Sequence, residues 1–146
     1  MKQVKKSVLL WYSPHEMYSL VSDVERYAEF LPWCDRSEVV ERHEDGVTAR
    51  VGMAIAGIRQ SFSTRNIEVP DQSVHMTLVD GPFSQLDGLW QFLPLAKPAA
   101  CKIEFELSYA FSSRALEMVI SPVFDRIANS FVEGFVKRAE KVYGPR

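Results

Sequence analysis

Residues 101–146 read CKIEFELSYAFSSRALEMVISPVFDRIANSFVEGFVKRAEKVYGPR, and this stretch decides the fold. It opens with the most regular alternation in the chain, because apolar residues stand at every second position and polar residues separate them. The apolar set is Cys101, Ile103, Phe105, Leu107, Tyr109 and Phe111. Such alternation predicts a β-strand with one buried face and one wetted face.

After this strand the apolar period changes from two to three and four, as in a helix. Ser112 or Ser113 can cap the helix, and Gly144-Pro145 ends it. Pro122 is predicted to kink the helix or to mark its true start. The apolar stripe comprises Leu116, Ile120, Phe124, Ile127, Phe131, Phe135, Ala139 and Val142. The sequence therefore predicts a long amphipathic helix at the carboxyl end.

Six further strands are predicted upstream, and turn residues separate most of them. Asp45-Gly46, Gly57, Pro70-Asp71 and Gly81-Pro82 stand where hairpins would turn. The strands are expected at 4–11, 37–44, 47–55, 58–69, 73–80 and 83–95. Hairpins every few residues make an antiparallel meander. The predicted fold class is α+β, with a curved antiparallel sheet of about seven strands wrapped on the long carboxyl-terminal helix.

Two short helices are expected between the first and second strands. Ser13-Pro14-His15-Glu16 is a capping box with proline at the first helical position, so a helix should begin there and run to about Val24. The next segment, 27–34, contains three aromatic residues and Pro32, and it is predicted as a helix end or an irregular turn. It carries more apolar surface than a solvated loop needs.

Length and composition fit one globular domain, residues 1–146. The chain has 146 residues, of which 47% are hydrophobic and 25% charged, so disordered and fibrous classes are excluded. No apolar run approaches the roughly 18 residues of a membrane span, and a signal peptide is not expected. Cys34 and Cys101 are interpreted as buried thiols of a reduced protein. We expect a cytoplasmic location, with a peripheral position at the inner membrane as the alternative.

Positive charge is concentrated at the two ends of the chain. Residues 1–12 and 134–146 each sum to +3, whereas the net charge is −2, so the remainder sums to −8. Lys137, Arg138 and Lys141 stand close together near the end of the predicted long helix. They are a candidate anion-binding face. The alternative, which we favour on charge alone, is that they are solvated surface groups.

Groups that could carry catalysis are scattered. The chain has no phosphate-binding glycine loop and no nucleophile-elbow pattern. Glu104 and Glu106 lie on the polar face of the predicted strand 101–111, where solvation explains them better than catalysis. His15, His43 and His75 are not spaced with cysteines as zinc ligands. We therefore expect no enzyme activity, no metal site and no catalytic cofactor.

Aromatic residues and methionines concentrate instead at inward positions, where they predict an apolar pocket. A curved sheet closed by one helix tends to leave volume, which Gly52, Gly57, Gly88 and Gly134 would leave unfilled. Gln60, Thr64, Asn66 and Tyr109 would add polar groups to its wall. The predicted lining is Met53, Phe62, Met76, Trp90, Phe92, Tyr109, Phe131 and Phe135. For any one of them, ordinary core packing is the alternative.

The entrance is predicted at Phe30, Leu31, Trp33 and Phe83, because each belongs to a proline-marked irregular segment. Trp33 and Phe83 complete the candidate ligand-binding set. The alternative is that these residues form a lid that plugs the core.

Four segments resemble a known family: YAEFLPWC at 27–34, GPF at 81–83, LDGLWQF at 86–92 and FVKRAEKVYG at 135–144. Together they are similar to the coenzyme Q-binding proteins, a branch of the START-like (polyketide cyclase/lipid-transport, SRPBCC) superfamily that includes the bacterial ribosome-association toxins. Ala28 departs from a common proline, and Ser84 and Gln85 from a common basic residue. The resemblance implies a helix-grip fold, a deep hydrophobic cavity and no catalytic cofactor.

Three functions follow from the residues and the resemblance. The first is non-enzymatic binding of ubiquinone or a related isoprenoid lipid in support of respiratory electron transport. The alternative is a toxin that binds the ribosome, with the large subunit as partner, and blocks subunit association. A polyketide cyclase-type enzyme ranks last, because no acid or base is evident. Contact with a membrane surface is expected to be transient, and no DNA partner is expected.

Overall fold

A seven-stranded antiparallel sheet curves around one long helix in the computed structural model, which describes residues 1–146. The elements in chain order are β1 Lys2–Leu10, α1 Pro14–Ser22, a 3₁₀ turn Val24–Arg26, α2 Tyr27–Phe30, β2 Cys34–His43, β3 Gly46–Ile55, β4 Ile58–Val69, β5 Ser73–Asp80, β6 Phe83–Pro94, β7 Cys101–Phe111 and α3 Arg114–Tyr143. The predicted fold class, a helix-grip arrangement with two short helices after the first strand, is confirmed.

The strand order is β1-β7-β6-β5-β4-β3-β2, so β1 and β2 form the two edges. Strands β2 to β7 pair with their neighbours in sequence, whereas β1 pairs with β7, about 100 residues away. Register shifts between Cys34 and Arg36, and between Val39 and Glu41, interrupt the β2–β3 ladder. Irregularities of this kind bend strands, and they help the sheet curve around α3.

Local sequence explains the turns and caps. Ala56 and Gly57 both have positive φ, of 52° and 81°, as a two-residue hairpin turn of the I′ type requires. At α1 the predicted capping box is present: Glu16 N donates to Ser13 Oγ at 3.1 Å, and Ser13 N donates to Glu16 Oε1 at 2.9 Å. Ser113 caps α3 through its hydroxyl.

Two expectations about element bounds need correction. β2 begins at Cys34 rather than at residue 37, because the chain joins the sheet directly after Pro32, where Ala54 N donates to Trp33 O at 2.8 Å. The long helix runs from Arg114 to Tyr143, so Pro122 does not mark its start. Thirty residues of helix span about 45 Å, enough to cross the whole concave face of the sheet.

The core lies between that concave face and α3. Every odd-numbered residue of β7 is buried, as the alternation predicted. Cys34 and Cys101 are both buried free thiols, and burial raises the pKa of Cys101 to about 11. No helix combines the length and apolar character that crossing a bilayer requires.

A polar cluster ties the edge strand β1 to α3. Lys2 Nζ donates to Asp125 Oδ2 and to Ser121 Oγ, and Tyr109 Oη donates to Asp125 Oδ1 at 2.5 Å. Partial burial opposes ionisation of Asp125, but hydrogen bonds from Lys2, Tyr109 and Ser121 outweigh it and hold the pKa of this carboxyl below its usual range. The carboxylate is therefore more favourable in the folded than in the unfolded chain.

Replacing this carboxylate should lower stability in a pH-dependent way. Because the folded pKa of Asp125 is depressed, its contribution is present above the unfolded pKa of about 3.9 and is lost as the pH falls through the lower folded value. We expect Asp125→Asn to cost about 1 kcal/mol at pH 7, since the group is partly exposed. Urea unfolding at pH 7 and near pH 3 measures this, with Glu133→Gln on the same helix as control. An equal loss at both pH values would contradict the electrostatic explanation.

Candidate functional site: an apolar cavity under the short helix

An internal cavity of about 60 Å³ lies between the concave face of the sheet and the middle of α3. Strands β3 to β7 form one wall, α3 forms the other, and residues of the α1–β2 connection close it. Of the 17 lining residues 14 are hydrophobic. They are Val24, Tyr27, Trp33, Ala49, Val51, Phe62, Thr64, Asn66, Met76, Leu86, Gly88, Phe105, Leu107, Phe124, Ile127, Ala128 and Phe131.

The cavity is small compared with sites that hold larger ligands. Sixty cubic ångströms exceeds the roughly 10–15 Å³ that one water needs. It is far below the roughly 300–1,000 Å³ of pockets that hold drug-sized ligands. Any larger ligand therefore has to displace side chains or the segment that covers the cavity.

Four of the ten predicted ligand-binding residues line the cavity: Trp33, Phe62, Met76 and Phe131. Trp33 and Phe131 lie on its α-helical side, with ring centroids 6.0 Å apart. Met76 enters from β5, and its methyl group occupies the space that a side chain at Gly88 would take, since a Cβ there would lie 2.7 Å from Met76 Cε.

The other six, Met53, Phe83, Trp90, Phe92, Tyr109 and Phe135, are buried but do not line the cavity. The aromatic residues among them pack on other rings of the core: the Trp90 and Phe135 ring centroids are 5.2 Å apart, and those of Tyr109 and the lining residue Phe124 are 4.8 Å apart. Alternation along a strand identifies the buried face correctly, but it does not distinguish a position that fills the core from one beside empty space.

Small side chains create the space, and of these only Gly88 was predicted from the sequence. Ala49, Val51 and Ala128 line the cavity, together with Gly88. Gly52, Gly57 and Gly134 do not, although they were expected to leave volume. The signal that could have found the site is a run of small residues at successive inward positions, such as Ala49 and Val51 on β3.

One polar pair interrupts the apolar wall. Thr64 and Asn66 are both buried, and Thr64 Oγ1 donates to Asn66 Oδ1 at 2.7 Å. With its oxygen engaged, the Asn66 amide keeps its nitrogen as a donor for a ligand oxygen. Of the other polar groups predicted for the wall, Gln60 lies outside the lining and the Tyr109 hydroxyl is committed to Asp125.

The segment from Tyr27 to Trp33, which we call the lid, is fastened to α3 by several contacts. Arg138 Nη2 donates to Glu29 Oε1 at 2.9 Å, and its guanidinium lies 5.0 Å from the Phe30 ring centroid. Leu31 packs so closely on α3 that a Cβ at Gly134 would lie 2.6 Å from Leu31 Cδ2. Tyr27 and Trp33, at the two ends of the lid, line the cavity.

The predicted entrance divides into two groups. Phe30, Leu31 and Trp33 belong to the lid, whereas Phe83 packs with Phe62 and Phe124, at centroid distances of 5.7 and 4.9 Å. Leu31, Trp33 and Phe83 are all buried. Phe83 therefore does not share an entrance with the lid residues, which corrects the prediction. The geometry fits the alternative of a lid that covers the core.

Only two of the three residues predicted as a basic face are free surface cations. Lys137 and Lys141, one turn apart on α3, are exposed and form no ion pair, and Lys137 lies in the same surface groove as Lys6 of β1. The Arg138 side chain is only 14% exposed and is held by Glu29. Arg138 is therefore part of the lid fastening rather than a free cation, because it lies about 100° around the helix from Lys137.

Residues 10–136 match the family described as "Polyketide cyclase / dehydrase and lipid transport", and the chain belongs to this family. The resemblance found in the sequence is thereby confirmed. The chain is 44% identical over 144 residues to a ribosome association toxin RatA of Vibrio cholerae, covering 99% of each chain. It is 42% identical over 146 residues to the protein of the same name in Escherichia coli K12, covering 100% of this chain and 92% of that one.

One curated relative and two solved structures are more distant. The coenzyme Q-binding protein COQ10 homolog B of Xenopus laevis is 28% identical, over 97% of this chain and 59% of that protein. The Zhui aromatase/cyclase structure of Streptomyces sp. R1128 superimposes with a TM-score of 0.83 at 14% identity, covering 96% and 94% of the two chains. An 18 kDa protein of Caulobacter crescentus gives 0.76 at 29% identity, covering 99% and 100%.

Loosening the lid should speed access to the cavity. We expect Arg138→Gln to cost about 1 kcal/mol of stability and to raise the rate at which a fluorescent apolar probe enters, because the ion pair to Glu29 and the stacking on Phe30 are lost. Stopped-flow fluorescence measures entry, and Lys137→Gln is the matched control. Unchanged entry in a folded Arg138→Gln protein would show that ligands use another route.

Proposed function

We propose that this protein binds ribosomal particles and hinders association of their subunits. The support that carries the proposal is similarity along essentially the whole chain to proteins named ribosome association toxin, at 44% and 42% identity. The order of the two functions predicted from the sequence is thereby reversed. The large subunit remains the partner we expect.

Exposed lysines indicate which surface of the protein would contact the ribosome. Lys6 and Lys137 are exposed in the groove between β1 and α3, and Lys141 is exposed one turn further along α3. None of the three forms an ion pair within the chain. Free ammonium groups can contact RNA phosphates and release counterions, which makes binding depend on salt. Glu133 and Glu140 border the same groove and would limit binding to surfaces that avoid them.

A co-sedimentation assay tests the proposal. We expect the wild-type chain to travel with ribosomal particles at low salt and Lys137→Gln/Lys141→Gln to do so less. If both lysines contact phosphate, the log–log salt slope should fall by about 1.4–1.8. Arg36→Gln/Arg59→Gln is the control, because it removes the same charge from the far side of the sheet.

One outcome would refute ribosome binding, and two others would change the explanation or the place of the contact. Wild-type protein that never travels with particles, even at low salt, refutes ribosome binding. An equal effect of the control pair shows general charge attraction, and an unaffected lysine variant moves the contact elsewhere.

The cavity favours a second function, binding of an apolar ligand such as ubiquinone or a related isoprenoid lipid. Its aromatic wall and the single donor at Asn66 suit a mostly apolar molecule that carries an oxygen acceptor. Neither Thr64 nor Asn66 titrates near neutral pH, which supports a binding role rather than catalysis. The cavity and the lysines use different residues, so one chain can carry both functions.

Filling the cavity should abolish this second function without touching the first. We expect organic extraction of purified protein to release a lipid detectable by mass spectrometry. Ala128→Leu should reduce its amount severalfold, because the added side chain occupies the cavity. Ala115→Leu, an exposed position on the same helix, is the control. A folded Ala128→Leu protein that retains the same lipid would contradict the assignment.

A further inference from the structure

One end of the outer sheet face exposes apolar residues that the fold does not need. Leu9 on β1, Lys102 on β7 and Leu93 on β6 are register partners, so they form one row across three strands. Leu9 is 67% exposed and Trp11, just beyond β1, is 55% exposed. Leu95 adds a further exposed side chain in the β6–β7 connection. We call Leu9, Trp11, Leu93, Leu95, Lys97 and Lys102 the sheet-end patch.

The patch combines this apolar surface with positive charge. The patch contains two lysines, Lys97 and Lys102, and residues 1–12 and 93–103 contain no aspartate or glutamate. Lys97 Nζ lies 5.2 Å from the Trp11 ring centroid and forms no ion pair. Lys102 pairs with Glu104 at 3.2 Å, so Lys97 is the unpaired cation of the patch.

The segment that connects β6 to β7 beside the patch is exposed. Residues 93–99 are all exposed, and Lys97 is their one charged residue. A connection that only joins two strands does not require this composition, since exposed leucines stabilise nothing while water surrounds them.

We propose that the sheet-end patch docks on the surface of an anionic lipid membrane. A tryptophan beside leucines can enter the region below the headgroups, while lysines remain among the phosphates. A nucleic-acid surface would use the lysines but would leave the leucines without a partner, so lipid fits the whole patch better. The proposal goes beyond ribosome binding and does not depend on it, because Lys137 and Lys141 lie outside the patch.

Vesicle binding of the full chain tests the proposal. We expect the chain to float with vesicles of phosphatidylglycerol and phosphatidylcholine, and to bind pure phosphatidylcholine weakly. Removing one lysine should lower partitioning about fivefold. Leu9→Ser/Trp11→Ser/Leu93→Ser should lower it at least about tenfold. Val40→Ser/Val79→Ser, which removes exposed apolar residues elsewhere on the sheet, is the control and should bind like the wild type.

Tryptophan fluorescence supplies a direct readout of depth. Trp33 and Trp90 are buried, so quenching by brominated lipid acts mainly on the exposed Trp11. Quenching that Trp11→Phe removes supports insertion at the patch. Anionic vesicles that bind without quenching, or that bind the triple variant equally well, overturn it.

Two further results, each of which assigns the patch to a different partner, would also overturn the membrane proposal. A dimer that forms with rising concentration and is lost in the triple variant, without vesicle binding, assigns the patch to a second copy of the chain. Loss of ribosome co-sedimentation in the triple variant, again without vesicle binding, assigns it to the ribosomal contact. Ribosome binding that fails while vesicle binding persists leaves this proposal intact.

Discussion

One long helix cannot fill a curved sheet evenly, and most features of this protein follow from that mismatch. Where large side chains meet, as at Trp90 with Phe135 and at Tyr109 with Phe124, the gap closes with rings in contact. Between these regions Ala49, Gly88 and Ala128 face one another and leave a cavity. Close packing elsewhere preserves it, because the surrounding rings cannot collapse inward without losing their own contacts.

The lid depends on the same helix. Gly134 and Arg138 lie one turn apart on α3: the glycine admits Leu31, and the arginine holds Glu29 and Phe30. The residues that grip the lid therefore stand beside those that line the cavity. Lys137, adjacent in sequence, points to a different surface, so one helix separates closure of the cavity from any external contact.

How well the sequence predicted each part depends on whether the signal was local. The alternation in β7 and the stripe of α3 follow from burial of one face, so both elements were predicted with nearly correct bounds. Cavity positions were predicted poorly, because Trp90 and Phe131 share an inward pattern although only Phe131 borders empty space. Charge clustering in the sequence grouped Arg138 with Lys137 and Lys141. Its ion pair with Glu29 could not be predicted, because only the folded chain brings the two residues together.

Strand β1 joins the sheet late when the chain folds during synthesis. Its partner is β7, so Lys2 lies opposite Tyr109 and Leu10 opposite Cys101. During synthesis this first strand is made early but finds its neighbour only after most of the chain has left the exit tunnel. Until then its edge and its apolar residues are open to other strands, and loop closure over such a separation is slow. Arg146, which follows α3, forms a bidentate ion pair with Glu16 at 2.7 and 2.9 Å, so this contact also forms only after α3 has been made. A chain that ends before residue 101 would lack β7, so β1 would have no partner in the sheet and the concave face would lack its helix.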